Sequence, residues 1–495
     1  MIECQIDTPR RNHGTNDQVR PEPRLLVMSN RAPIRLVPEA GKERIEPTTG
    51  GMGTSFFHVL ARRGGCWIAW SGGQIESRRL GIPSERPQFD LVLLSLSERE
   101  VCEYYYEMCN RALWPLMHLL PPKYSFSSHH WTTYRQVNEQ FATLAACEIR
   151  RNDFLWIQDF HLALTPKLVR AQRPGTPIGL FWHVPFPPEQ IFRVLPWRTE
   201  FLSGMLGSDL IAFHTRTYVA HFLDACESLL ELPVNRSQGL VFVDDRCVRV
   251  EANPIGIPAQ YFEQNARSER VHERAKRIRT ELRSTFIVLG VDRLDYTKGI
   301  LERLLGFERF LENNPSFHRR VSLVLITVPS RTEVADYAQL KRELDEQVGR
   351  VIGRFSSEGW VPVRYLYTQF TTEELIAYYR AADVALVTPL CDGMNLVAKE
   401  YVASHPDDDG ALVLSEFAGA ANELREALLV NPYDIDQIAA RLKDALTMDP
   451  QSRARRMRSL RMRVHENCLE RWSSRFLGVL DEVTSAQSAR FAFTS

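Results

Sequence analysis

The sequence predicts an α/β protein of two doubly wound, Rossmann-like domains facing one another across a cleft. Three observations lead there. The chain has 495 residues, more than one ordinary hydrophobic core fills, so two domains of roughly 200 to 250 residues are expected. Short apolar, β-branched runs alternate with helical periodicity from Leu25 almost to the end, the pattern of buried parallel strands and their crossover helices. The alternation breaks once, at Asn253-Pro254-Ile255-Gly256-Ile257-Pro258, where two prolines and two changes of pattern coincide.

Residues 1–23 are polar, carry Arg10, Arg11, Asn12 and Asn16, and have no apolar core of signal-peptide length, so they read as a disordered leader. The first domain, 24–260, takes its strands from Leu25–Met28, Trp67–Trp70, Leu91–Leu94, Phe154–Ile157, Ile178–Phe181 and Leu210–Phe213. The second, 261–470, takes them from Phe286–Leu289, Leu323–Ile326, Val384–Val387 and Leu412–Leu414. Two successive βαβ blocks imply two sheets. After Gly299, Ile300, Leu304, Phe307 and Leu311 fall on one face of a helix that Asn313-Asn314-Pro315 stops, and its other face is charged. The basic run from Arg453 to Arg458 reads as the solvated face of a helix.

Composition removes several function classes. Lys and Arg number 61, as do Asp and Glu, so the net charge is zero and no global field gathers nucleic acid or an anionic membrane. No window approaches 18 consecutive apolar residues. Nine scattered cysteines without a C-x-x-C pair favour reduced thiols and a cytoplasmic location. The partners expected are small molecules, and a homo-oligomer is compatible with this composition. Asp407-Asp408-Asp409 and Asp434-Ile435-Asp436 lie in a polar loop and at a helix cap, away from any strand end, so no metal cofactor is expected.

Three segments carry chemistry. The strand ending at Val291 runs into Asp292-Arg293-Leu294-Asp295-Tyr296-Thr297-Lys298-Gly299, which aims Arg293 and Lys298 into the crevice where open α/β sheets bind ligands. Two fixed cations suit a diphosphate: at ~4 Å and an effective dielectric near 20, each pairing amounts to roughly 4 kcal/mol before desolvation. After Val384–Val387 come Asp392-Gly393-Met394-Asn395 and then a helix from Leu396 and Val397, whose start offers free N–H groups to a phosphate. Glu400, one turn in, can accept hydrogen bonds from ribose hydroxyls. The third segment joins Ser29-Asn30-Arg31 to Thr49-Gly50-Gly51-Met52-Gly53, a glycine-rich helix start in the other domain. Asp159 and His183 each close a strand, whereas Tyr105 and Trp114, nine apart, taken singly fit a core better than a ligand site.

These motifs, in this order from about Leu25 to Leu446, resemble the trehalose-6-phosphate synthases. They include Leu113-Trp114-Pro115, Asp159-Phe160-His161-Leu162, His183-Val184-Pro185-Phe186-Pro187, Pro329-Ser330-Arg331 and Asp392 through Tyr401. The resemblance implies a GT-B fold, with a last helix, 471–495, crossing back to the first domain. It implies retaining transfer of glucose from a nucleotide-glucose, expected to be UDP-glucose, to glucose 6-phosphate in trehalose biosynthesis. Arg293 and Lys298 would hold the diphosphate, with Gly50, Gly51, Gly393, Met394 and the backbone of Asn395 to Val397 around it. Glu400 would hold the ribose and Phe370 the base. Asp392 and His183 would bind the donor glucose and Asp159 the sugars at the reaction centre. Arg31, Tyr105, Trp114 and Arg331 would bind the acceptor's phosphate end. Gln158 stands where the family usually has histidine, and Cys391 where it often has arginine. Alternatives are a glucosylglycerol-phosphate synthase, which Arg331 disfavours, a non-catalytic sugar-phosphate-binding subunit, and a sugar-nucleotide epimerase.

Overall fold

The computed structural model describes residues 23–39, 42–47, 51–72, 77–83, 86–121, 124–331 and 334–494; the leader reading falls outside them but for its last residue. Among the described residues the apolar runs form two large sheets. The first, ten strands wide, has a parallel centre in the order Arg246–Ala252, Leu210–Phe213, Ile178–Phe181, Phe154–Gln158, Leu25–Arg31, Cys66–Trp70, Phe89–Leu94. Antiparallel strands finish both edges, Val234–Asn235 and Leu240–Val243 on one side and Arg78–Ile82 on the other. The second sheet is parallel throughout, ordered Val363–Tyr367, Val321–Val328, Phe286–Arg293, Val384–Val387, Ala411–Ser415, Leu428–Val430.

Every strand expected from an apolar run is present, with both faces buried. The strands the sequence did not announce lie at or near sheet edges, where one face is wet and the apolar run is interrupted, as in Val-Arg-Tyr-Leu-Tyr at 363–367. Helix Ile300–Asn313 buries Ile300, Leu304, Phe307 and Leu311 as its period requires. Its charged positions do not all face water. Arg303 is fully buried, and the buried Glu308 accepts from Arg350 at 2.5 Å and Arg354 at 3.1 Å. The basic run is solvated at Arg455 and Arg458, while Arg453 and Arg456 are half-buried. In helix Pro450–Glu466, Arg453 donates to the Ala445 carbonyl in the last turn of helix Ile435–Thr447, Arg456 to the carbonyl of Glu426, and Arg458 pairs with Asp408.

Helix Leu469–Thr494 follows the second domain in sequence but packs on the first sheet. Phe476 stacks on Trp156 at 4.4 Å and Trp472 lies 4.9 Å from the same ring, while Phe56 meets Trp156 edge-on. Gly179 makes room for this helix, since a Cβ there would fall 2.6 Å from the Phe476 ring. The chain therefore crosses between domains twice, and the crossings touch. The Leu469 N–H donates to the Ile257 carbonyl, Asn253 Nδ2 donates to the Trp472 carbonyl, and a Cβ on Gly256 would meet the Asn467 carbonyl at 2.1 Å. Lys399, buried, donates to the Ile255 carbonyl at 2.7 Å and pairs with Glu423.

Candidate active site

The second domain supplies two turns at adjacent strand ends. Arg293 ends its strand exposed, and the next turn, Tyr296–Lys298, is capped by Asp295, whose carboxylate accepts from Thr297 N–H at 3.0 Å. Gly299 then adopts φ 58° with Thr388's carbonyl 2.0 Å from where a Cβ would stand, so only glycine serves. This brings Lys298 Nζ to 2.5 Å from Asp392 Oδ2. Burial pushes the Asp392 carboxyl up, but Lys298 outweighs it and holds the group below its ordinary value. Asn395 Nδ2 donates to the same carboxylate at 3.1 Å, and Asn395, at φ 78°, caps the helix Leu396–Ala403 by accepting from Ala398 N–H. The cap is thus Asn395, which leaves Asp392 turned toward the crevice lysine. Under both turns Arg303 donates to Asp292 at 2.6 Å, Thr388 Oγ1 at 3.2 Å and the Lys298 carbonyl at 3.3 Å, tying the two strand ends together.

At the far end of this helix start, Glu400 accepts from the Tyr379 hydroxyl at 2.8 Å, and burial raises its carboxyl. Tyr379 belongs to helix Thr372–Ala381, capped by Thr371, and Phe370 stands just before the cap, its ring 5.0 Å from that of Tyr378. Leu396 and Val397 are half-buried at the helix entrance, and Met394 is buried. Gly393 approaches the first domain so closely that a Cβ would lie 2.1 Å from the His183 carbonyl. Beside Asp392, burial pushes the Cys391 thiol up to about 12.

From the first domain come Asp159 and His183. Asp159 follows its strand at φ 69°, a left-handed conformation costly for a non-glycine residue and common where a site dictates it. Its carboxylate accepts from His183 N–H at 3.0 Å; burial pushes it up to about 6 against the backbone donors and Arg293. Burial alone drives His183 down to about 3, so the ring is neutral. Gln158 Oε1 lies 2.8 Å from His183 Nε2 and, with Gln158 Nε2 directed at the Trp156 carbonyl, is the acceptor. The other ring nitrogen, Nδ1, is then the acceptor.

Tyr105 and Trp114 belong to or end a π-helical segment, Val101–Leu113. Bonding from i to i+5 puts more than four residues in a turn, so nine residues make about two turns and return to one side. At 3.6 residues per turn they would stand on opposite faces. The winding places both rings against arginines. Arg331 lies 4.2 Å from the Trp114 ring and Arg293 5.8 Å from it, while Arg31 lies 5.5 Å from Trp70 and 6.0 Å from Tyr105. Burial raises the Tyr105 phenol, but Arg331, Arg31 and Arg293 together hold it below its ordinary value. Burial and the same Arg331 and Arg293 drive His161, stacked on Tyr105, down to about 3.

The structure thus gathers Arg31, Tyr105, Trp114, Arg293 and Arg331 into one cationic, aromatic pocket. Lys298, Asp392 and the Gly393 turn stand against the His183 and Asp159 strand ends, and Glu400 and Phe370 flank helix Thr372–Ala381. Gly50 lies outside the described residues, and Gly51 opens the helix Gly51–Arg63. Sequence reasoning passed over Asp295, Arg303, Tyr337 and Tyr379. Asp295 stood inside a quoted motif, and the others look like ordinary helix residues until packing brings them together. Among the described residues no three His, Cys, Asp or Glu side chains converge as a metal site, and no helix is long and apolar enough to cross a membrane.

Residues 23–482 match the glycosyltransferase family 20 description. A trehalose-6-phosphate synthase of Mycolicibacterium vanbaalenii is 41% identical over 468 residues, covering 92% of this chain and 95% of that protein. A bifunctional trehalose-6-phosphate synthase/phosphatase of Thermoproteus tenax is 40% identical over 94% of this chain, which spans 64% of that longer protein. A crystal structure of a UDP-forming α,α-trehalose-phosphate synthase from Burkholderia xenovorans in complex with glucose-6-phosphate superposes with a TM-score of 0.85 at 33% identity, over 92% of this chain and all of that one.

Proposed function

The chain belongs to glycosyltransferase family 20, and from that premise we propose that it is a retaining glucosyltransferase that joins glucose from UDP-glucose to glucose 6-phosphate. The bond from the donor's anomeric carbon to the UDP oxygen breaks, and a new bond forms to the acceptor's anomeric oxygen. The products are α,α-trehalose 6-phosphate and UDP, the hydroxyl's proton passing to the leaving diphosphate. Arg293 and Lys298 meet the negative charge that grows on that diphosphate. Preorganised charge of this kind supplies a large share of many rate enhancements.

One observation carries the acceptor reading: three guanidiniums, Arg31, Arg293 and Arg331, surround Tyr105 and Trp114 strongly enough to overcome burial and lower the phenol. Such a pocket suits a phosphate dianion on an apolar platform. Asp159 and His183 close the sugar end, with Asp392 opposite. Asp159 is an acceptor for sugar hydroxyls, and so is His183 through Nδ1. Glu400, oriented by Tyr379, and Phe370 take the nucleoside. The free thiols of the eight described cysteines support a cytoplasmic location.

The test crosses UDP-, ADP- and GDP-glucose with glucose 6-phosphate and glycerol 3-phosphate and measures released nucleotide. UDP-glucose with glucose 6-phosphate is expected to be the best pair. More efficient glucosylation of glycerol 3-phosphate would move the chain to the rival activity.

A further inference from the structure

Two cations of the site, one on each substrate's side, hang on a single carboxylate. Asp295 is fully buried, two residues after Arg293 and three before Lys298. Its two oxygens serve different halves of the pocket. Oδ1 accepts from the Thr297 N–H at 3.0 Å and the Thr297 hydroxyl at 2.9 Å, which wraps the turn carrying Lys298. Oδ2 accepts from Arg331 Nη1 at 3.2 Å and from the Tyr337 hydroxyl at 3.0 Å, and Arg331 also donates to Tyr337. Arg331 is held at φ 48°, a left-handed conformation that a bulky residue keeps only under constraint. Because the carboxylate is planar and buried, rotation of the group moves both oxygens at once.

We infer that Asp295 is a positioning residue that couples the two subsites: ordering the lysine turn around a diphosphate fixes the carboxylate, and the carboxylate fixes Arg331 for a sugar phosphate. The inference rests on the glucosyl-transfer reading above. Burial pushes the Asp295 carboxyl up, but Arg331, Arg293 and Lys298 outweigh it, so the group is an anion able to hold all four donors. Whichever ligand binds first leaves less to be ordered by the second, and the effect is reciprocal.

The experiment measures the Kd of glucose 6-phosphate by calorimetry with and without saturating UDP. In the wild type UDP is expected to tighten glucose 6-phosphate on the order of fivefold or more, and in Asp295→Asn the ratio falls toward one. Two milder variants decide the matter should Asp295→Asn not fold. Thr297→Val, on the donor turn, raises the KM for glucose 6-phosphate. Tyr337→Phe, on the acceptor side, slows acceptor-free hydrolysis of UDP-glucose. An Asp295→Asn protein with the wild-type ratio, or milder variants that each alter only their own side, would overturn the coupling. Failure of the functional reading looks different, because the wild type itself would then transfer no glucose to glucose 6-phosphate.

Discussion

Lys298 is poised between two anions, the Asp392 carboxylate 2.5 Å away and the diphosphate that it is proposed to meet. Since the charge it serves grows as the glycosidic bond breaks, Lys298→Ala and Arg293→Ala are expected to lose on the order of 10²- to 10³-fold in kcat. A wild-type kcat with only KM altered would assign them plain binding. Asp159 gives a second test through pH. Its folded-state carboxyl titrates near 6, above the unfolded value, so the stabilising contribution is complete below about pH 4 and is lost as pH rises through about 6. Asp159→Asn cannot ionise and should gain roughly 2 to 3 kcal/mol over the wild type between pH 4 and pH 7.5. Denaturant midpoints at the two pH values check it, and a constant difference would refute the buried charge. Arg293, Lys298 and Asp392 were legible because they sit in motifs at strand ends. Tyr337 was not, because nothing in a helix sequence says that its hydroxyl will meet a carboxylate 42 residues away.

At the scale of elements, the central strands were legible because burial on both faces leaves unbroken apolar runs, and edge strands were not because one face is polar. The π-helical segment was invisible for a different reason. A period of 3.6 separates Tyr105 from Trp114, and only the wider winding, set by tertiary packing, reunites them. The strand carrying Gly179 yields a prediction of its own. Gly179→Ala would push a methyl within 2.6 Å of Phe476 and displace the helix Leu469–Thr494, with an expected loss of about 1 to 3 kcal/mol. Gly175→Ala, four residues earlier with no heavy atom within 4 Å, is the control and should be nearly neutral. Equal urea midpoints for the two variants would mean that the helix does not depend on this close approach.

For the whole molecule, charge is allotted locally. Asp407 and Asp409 pair with Arg380, Asp408 with Arg458 and Arg461, and Asp436 with Arg309, while Asp434 caps a helix. With its acidic clusters committed to arginines and two cations facing the crevice, the enzyme is expected to keep full activity after exhaustive chelation. Loss with EDTA, restored by Mg²⁺ or Mn²⁺, would contradict that. The touching crossings at Gly256 and Leu469 have a consequence for biosynthesis. The first sheet is complete by Ala252, yet the helix that covers Trp156 and Phe181 is translated only after roughly two hundred further residues. At about 5 to 20 residues per second the nascent first domain waits some 10 to 40 s with an aromatic face bare. During that interval the emerging second domain folds beside an unfinished neighbour, and the aromatic face is the surface on which a chaperone would act.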